Sequence, residues 1–491
     1  MNGQAETSYA SMRETHSSVV FFVGDRVHKM KKPLDLGFLD NRTRAAREWI
    51  CHREVELNRR LAPDVYLGVA DMHDPGGEVC EHFVVMTRLP DDRRMAALIE
   101  RGEDIGASVE DVARQVSALH AASPLDPDID RCATAEFVAQ LWQLSLDHLD
   151  RLRIGREAGA ALARIRSASE RYLQGRTALF DERVAAGRAV DGHGDMLCDD
   201  IFCMDDGTRI IDCLEFDDEL RYGDAVLDLA FLAMDLERLG VLDAARTLLD
   251  AYAVHAHDHP PVSLVHHYIA YRALVRAKVT ALRHEQGDAD SRAAALGFLA
   301  QVERNLDRGR VRLVLVGGVA ATGKSTLSRA VGRHLGATVL RSDVIRKELA
   351  GMAPTERTGD GVGSGLYSAE STEVTYRELC RRAAELLARG ESVVLDATWL
   401  AEEHRGAARE VAASTTADLI EVECTADREV LVQRIESRTA RGDDASDATH
   451  AVLDEQLRRR NDWPDAVVVD TTEGSPIGTD WLERELGHAP W

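Results

Sequence analysis

One run of nine residues, about two thirds of the way along the chain, is built to hold phosphates. Gly318, Val319, Ala320, Ala321, Thr322, Gly323, Lys324 and Ser325 spell G-x-x-x-x-G-K-S, followed by Thr326. The run lies between an apolar strand pattern, "VRLVLV", and a helical one, "LSRAVGRHL". In that context the glycines let the backbone wrap an anion, with amide N–H groups and a helix N-terminus turned toward it. Lys324 supplies a point charge to the β- and γ-phosphates of ATP, and Ser325 a hydroxyl to Mg²⁺.

Residues further on bear on what such a loop would do. "LRSDVIRKEL" puts Asp343 just past the second strand, with Arg346 one helical turn later. An acid there can accept a hydroxyl proton while the arginine fixes an anionic group. "ESVVLDATW" places Asp396 at the C-terminal end of a buried strand, the ligand side of such sheets and a position for a metal ligand. Arg434, Arg438 and Arg441 are spaced along one helix face and its end, as in a lid over a transferring phosphate; a solvated charged helix would show the same spacing. This segment resembles the small-substrate P-loop kinases, which include gluconate kinase, polynucleotide kinase and the zeta toxins. By that resemblance Asp343 matches the base for the acceptor hydroxyl and Arg346 its partner arginine. The stretch "GDGVGSGLYSAE", 359–370, is either a substrate loop or a connection.

A second group of acids precedes that loop. "VDGHGDMLCDDIF" (190–202) carries His193, Gly194, Asp195 and Asp200, and Asp212 follows in "RIIDCLEF". The pattern resembles the kinase-like fold of aminoglycoside phosphotransferases and choline kinases. That resemblance implies that Asp195 accepts the substrate hydroxyl proton and that Asp200 and Asp212 ligate Mg²⁺. Asp200 stands where those enzymes carry Asn, and a carboxylate is a hard ligand that Mg²⁺ tolerates. Asp228 resembles their structural aspartate. The phosphate-gripping lysine would be Lys29, with Lys31 on the same strand face as runner-up. Its ion-pair partner would be Glu54, with Glu56 second.

These residues need elements to position them. "SVVFFV", the turn Gly24-Asp25 and "RVHKMK" predict a hairpin. A helix is expected over Arg44–Leu61, then strands near Val65–Val69 and Phe83–Thr87. No G-x-G-x-x-G precedes the hairpin, so the strand pair that covers ATP in kinases is expected to be reduced or absent. A degenerate domain that binds nucleotide poorly is then an open alternative. From Ser108 the pattern turns helical, with Ser108 and Asp111 reading as a capping box, and short strands interrupt around the acids. The polar "RNLDRGR" (304–310) ends this regime. Beyond it, VLVGG, ATVL, SVVLDAT, DLIEVEC and AVVVD alternate with helices, predicting a three-layer α/β domain with a parallel sheet. The expected architecture is thus two domains: a bilobal, protein-kinase-like α+β domain over 1–305 and an α/β P-loop domain over 311–491.

Composition narrows the partners. The chain has 491 residues and a net charge of −24, and residues 311–491 carry −9 of it, so neither half has the basic footprint of a nucleic-acid binder. The opening residues are polar and no run approaches the ~18 apolar residues of a membrane span, so a cytoplasmic protein without membrane or nucleic-acid partners is expected. The eight scattered cysteines read as reduced thiols. His255, His257, His259, His266 and His267 straddle Pro260-Pro261 and read as helix-end and loop residues rather than a metal site.

End to end the chain resembles the bacterial bifunctional aminoglycoside phosphotransferase/ATP-binding proteins, through "EVELNRRLAPDVYLGV", "DCLEFDDELRYGD", "SDVIRKEL" and "VVLDATW". The expectation is a kinase that uses ATP and Mg²⁺ to phosphorylate a hydroxyl of a small polar acceptor. Two alternatives stand beside it: an N-terminal sensor that regulates the P-loop kinase, or a toxin-type nucleotide-sugar kinase in the C-terminal domain.

Overall fold

The computed structural model describes residues 10–15, 17–35, 40–353, 356, 365–441, 449–473 and 478–491, without the side chains of 438–441 and 479. Two compact units emerge. One comprises 1–141, 182–260 and 271–301; the other comprises 142–181, 261–270 and 302–491. The segments 142–181 and 261–270, which precede the polar stretch at 304–310, thus pack with the residues that follow it.

In the first unit, β1 (Ala10–Glu14), β2 (Ser18–Val23), β3 (Arg26–Lys31), β4 (Tyr66–His73) and β5 (Val79–Thr87) form one antiparallel sheet in the order β1-β2-β3-β5-β4. The Gly24-Asp25 turn closes β2 on β3, with Val23 opposite Arg26 and Gly24 at φ 59°. The strand pair expected to be reduced is present. β1 runs antiparallel to β2 from Ala10 opposite Val23 to Glu14 opposite Val19. A Thr15 side chain that accepts the Ser18 N–H and donates to the Ser18 carbonyl closes the turn, so glycines are not required there.

The helix Arg44–Asn58 starts where Thr43 caps the Ala46 N–H. It lays Cys51 and Val55 against Val27, Val84 and Met86 of the sheet. Further along, short strands β6 (Ala189–Asp191), β7 (Ile201–Met204), β8 (Gly207–Ile210) and β9 (Tyr222–Asp224) pair as β6-β9 and β7-β8. Between these pairs runs the loop that carries Asp195. The helix expected to start at Ser108 begins at Gly106, where Asp104 accepts the Gly106 N–H. Asp111 cannot close a capping box because its carboxylate is taken by the N–H and hydroxyl of Thr208 on β8.

In the second unit, β10 (Arg312–Gly317), β11 (Thr338–Arg341), β12 (Val393–Asp396), β13 (Asp418–Thr425) and β14 (Val467–Asp470) make a five-stranded parallel sheet in the order β11-β12-β10-β13-β14. β10 is buried along its whole length and sits centrally, as a continuous apolar strand between two neighbours must. Its Val314 and Val316 pack with Leu327, Val331 and Leu335 of the helix Lys324–Leu335. The fold is therefore two-part: a kinase-like sheet-plus-helices unit and an α/β P-loop unit. No helix among the described residues is long and apolar enough to cross a membrane.

Candidate active sites

The phosphate loop follows directly from β10. Gly318 (φ 129°), Ala321 (φ 65°) and Gly323 (φ 86°) take left-handed backbone, which turns the chain back on itself before the helix Lys324–Leu335. A Cβ on Gly318 would lie 2.3 Å from the Cys424 carbonyl, so only glycine fits there. Lys324 Nζ donates to the Val319 carbonyl at 2.8 Å, bending across the mouth of the loop. Thr322 closes the loop by donating to the same carbonyl, and Gln456 accepts the Ala320 N–H at 2.7 Å.

Ser325 and Asp396 share one neighbour, Arg341, at the end of β11. Its Nη2 donates to Ser325 Oγ at 3.3 Å, and its Nε lies 3.4 Å from Asp396 Oδ2. Asp396 Oδ2 is buried and accepts no hydrogen bond. An orphaned carboxylate oxygen reached through one side chain from the loop hydroxyl fits a hard divalent cation, which would supply the positive charge that Arg341 lends there now. Mg²⁺ keeps several waters and uses one or two protein oxygens besides phosphate, so it needs no larger cage. Among the described residues no three His, Cys, Asp or Glu side chains are grouped to hold a metal.

Asp343 opens the helix Ser342–Leu349, in the first turn. Burial pushes its carboxyl up, Asp396 adds to the rise, and Lys324, Arg341 and Arg346 pull the other way. A raised carboxyl is the better proton acceptor. Arg346 donates to the Leu366 carbonyl at 2.8 Å and to Thr372 Oγ1 at 3.3 Å, and its guanidinium sits 5.2 Å over the Tyr367 ring, with its Nε–H buried and unpaired. Arg434 engages the Thr471 hydroxyl at 3.0 Å and the carbonyls of Thr471 and Ala321, buttressing the phosphate loop. Arg438 and Arg441 are helical, but their side chains lie outside the described residues, as do 359–364 of the glycine-rich stretch. Thr326 is exposed at the start of its helix.

The other acids gather in a cleft of about 790 Å³ in the first unit, lined by Lys29, Asp195, Asp200 and Asp212 together with Tyr66 and Arg94. Strand alternation puts Lys29 and Lys31 on one face of β3, and both reach Glu54 on the helix Arg44–Asn58, at 2.9 and 2.6 Å. Lys29 also lies 2.5 Å from Asp212, and Lys31 is 2.5 Å from Glu215. Glu56 points outward to Arg53. The Lys29 ammonium holds the Asp212 carboxyl down to about 2 against its burial. Asp212 has left-handed backbone (φ 65°), fixed by donating its N–H to Tyr66 and by the Cys213 N–H on Asn58.

Asp228 organises the loop that carries Asp195. It accepts the N–H of His193 at 2.9 Å and of Gly194 at 2.7 Å, and pairs with His120 at 3.0 Å. Burial opposes its ionisation, yet His120, His193 and the Gly194 amide hold it well below the usual carboxylate range. His193 is fully buried with Nε2 3.1 Å from the Ile211 carbonyl, so it anchors the loop. Burial, and after it Asp212, pushes Asp200 well up. Burial raises Asp195 as well. Asp195, Asp200 and Asp212 line one cleft, and the burial and mutual repulsion that raise Asp195 and Asp200 would be relieved by Mg²⁺ carried in with ATP phosphates. Asp200→Asn removes a like charge without removing an oxygen ligand. We expect it to bind Mg²⁺-ATP within a few-fold of wild type or tighter, by titration calorimetry; a tenfold loss would show that the second negative charge is required.

Sequence reading did not single out Arg341, Gln456, Thr471 or Glu215. Glu215 had a signal, since it lies three residues beyond Asp212 in the same segment; the others take their places only from tertiary contacts.

A strand-to-helix phosphate loop on a parallel sheet, with Asp396 at the end of β12 and Asp343 just past β11, defines a P-loop phosphotransferase, and residues 313–462 match the AAA domain family. The chain belongs to the same family as the uncharacterized protein Rv2004c of Mycobacterium tuberculosis, with 40% identity over 463 residues, 94% of this chain and 92% of the relative. Among solved structures it is similar to a choline/ethanolamine kinase family protein from Mesorhizobium loti (17% identity, 62% of this chain and 90% of the other, TM-score 0.38). It is also similar to the Mycobacterium tuberculosis APS kinase (22% identity, 36% and 95%, TM-score 0.27).

Proposed function

We propose that the protein transfers the γ-phosphate of ATP, with Mg²⁺, to a hydroxyl of a small polar acceptor such as a sugar or aminosugar, foremost in its P-loop domain over 311–491. It would be a bifunctional aminoglycoside phosphotransferase/ATP-binding protein, with the kinase-like domain over 1–305. The observation that carries the reading is the convergence of Lys324, Ser325, Asp396 and the raised Asp343 at the C-terminal ends of β10, β11 and β12. There Lys324 and the loop amides bind phosphate, Ser325 and Asp396 hold the metal, Asp343 takes the acceptor proton and Arg346 orients an anionic group on the acceptor. Mg²⁺ supplies charge neutralisation at the phosphates.

The kinase-like cleft is read as a second ATP site rather than a degenerate sensor, because Lys29 is already paired with both Glu54 and Asp212. The acidic surface favours a small acceptor over a polynucleotide.

Asp343→Asn tests the assignment. A base acts on the acceptor and not on the nucleotide, so ATP affinity should stay within about threefold while phosphoryl transfer falls on the order of 100-fold. The measurement is ATP consumption by the full chain over a library of sugars, aminosugars and polyols, beside ATP binding by calorimetry. Lost ATP binding would make Asp343 a metal or structural residue instead.

A further inference from the structure

A cavity in the P-loop unit belongs to neither acid cluster. It encloses about 570 Å³, a size suited to a small ligand, and reaches Val311 and Thr416, just before β10 and β13 begin. The phosphate loop leaves the other end of β10, so the two sites lie about 20 Å apart along a strand rising ~3.3 Å per residue.

The cavity's charges are mostly matched. Arg171 and Arg310 both bond Asp418, at 2.8 and 2.6 Å, and Arg164 pairs with Glu303 at 2.7 Å. Arg176 is the exception. It is 1% exposed and, among the described residues, lies within ion-pair distance of no carboxylate. Its Nη1 donates to two helix-end carbonyls, of Gly175 at 2.9 Å and Thr415 at 2.5 Å, and its Nε–H is buried without a partner. The Tyr172 ring, 5.5 Å from the guanidinium, and the two helix-end carbonyls offset its charge only in part, since no carboxylate pairs with it directly.

His267 adds a second donor. Its Nε2 accepts the Trp142 N–H at 3.1 Å, which places the proton of the neutral ring on Nδ1, and Nδ1 is buried with no partner. The ring stacks on Tyr172 at 4.3 Å, giving the cavity a flat aromatic wall beside the two N–H groups. In a chain of net charge −24, a buried lining with a cation that has no direct ion pair and two unpaired N–H groups favours an anion.

We propose that this cavity is a binding site for a small organic anion, an apolar or aromatic body bearing a carboxylate or a phosphate, received by Arg176 and the Nδ1–H of His267. It is a ligand site in addition to both nucleotide sites.

The probes are phenyl phosphate and benzoate, titrated calorimetrically into the full chain. At least one should bind at sub-millimolar to millimolar concentration, and the tighter of the two identifies the anionic group the cavity prefers. Ala168→Trp, an exposed lining position that makes no side-chain hydrogen bond, fills the cavity without disturbing Arg176 and should weaken binding at least tenfold. Arg176→Met should do the same; if it fails to fold, the Ala168→Trp result stands alone. Lys324→Ala and Lys29→Ala should leave probe affinity within about twofold. The proposal is overturned if neither probe binds, if Ala168→Trp binds them as wild type does, or if Lys324→Ala or Lys29→Ala abolishes binding, which would place the probes in a nucleotide site.

Discussion

Lys324→Ala is expected to cost ATP turnover on the order of 100-fold, the scale of losing one preorganised contact to developing charge. The backbone amides of the loop survive the change, because Gly318, Ala321 and Gly323 and not the lysine set the left-handed turns. What disappears is the only ammonium on the loop, whose Nζ rests 2.8 Å from the Val319 carbonyl. The effect should fall on transfer more than on folding, so thermal stability without nucleotide stays near wild type. Turnover is best measured in the full chain on an Asp212→Ala background, which silences the kinase-like cleft. Turnover within a few-fold of the Lys324 protein would remove the P-loop from the reaction.

Asp228→Ala should destabilise the kinase-like unit by roughly 3–5 kcal/mol, the scale of deleting one member of a buried, charge-assisted network. The loss leaves two buried N–H groups, those of His193 and Gly194, without an acceptor, and strips His120 of its carboxylate. His120 keeps Tyr252 at 2.8 Å, so the network is broken only in part. The sign with pH follows from the depressed carboxyl. A group whose folded value lies below its unfolded value stabilises the fold above the usual carboxyl range, near 3.9, and loses that contribution as pH falls toward the folded value. The gap between wild type and Asp228→Ala should therefore be full at neutral pH and narrow below about pH 4. Urea unfolding across pH checks it, with amide exchange at His193 and Gly194 as the local readout. A gap independent of pH would mean that the carboxylate acts through shape alone.

The two sites differ in how far they were readable. The phosphate loop is local: nine consecutive residues between a strand and a helix specify its backbone, so the motif and its geometry coincide. The kinase-like cleft is not. The Lys29–Asp212 pair spans 183 residues, and strand alternation puts Lys29 and Lys31 on the same face, so sequence could name both lysines but not divide their partners. Packing of the helix Arg44–Asn58 on the sheet divides them: Glu54 takes both, Asp212 takes Lys29 and Glu215 takes Lys31. The missing glycines over the cleft misled for a related reason. Their absence predicts a strand pair that is reduced or absent, whereas β1 and β2 pair and Thr15 closes the turn with its side chain.

Sequence by itself determined the parallel α/β sheet, the antiparallel hairpin of β2 and β3, the phosphate loop and the identity of the acids, because each depends on residue type and on spacing within one element. Only the tertiary structure decided which charges meet, that Arg341 stands between Ser325 and Asp396, and that residues 142–181 and 261–270 pack with the P-loop residues to enclose a cavity around Arg176. Those are contacts between segments distant along the chain, and their pairing is set by burial and by the geometry of packed helices and sheets, which no local pattern encodes.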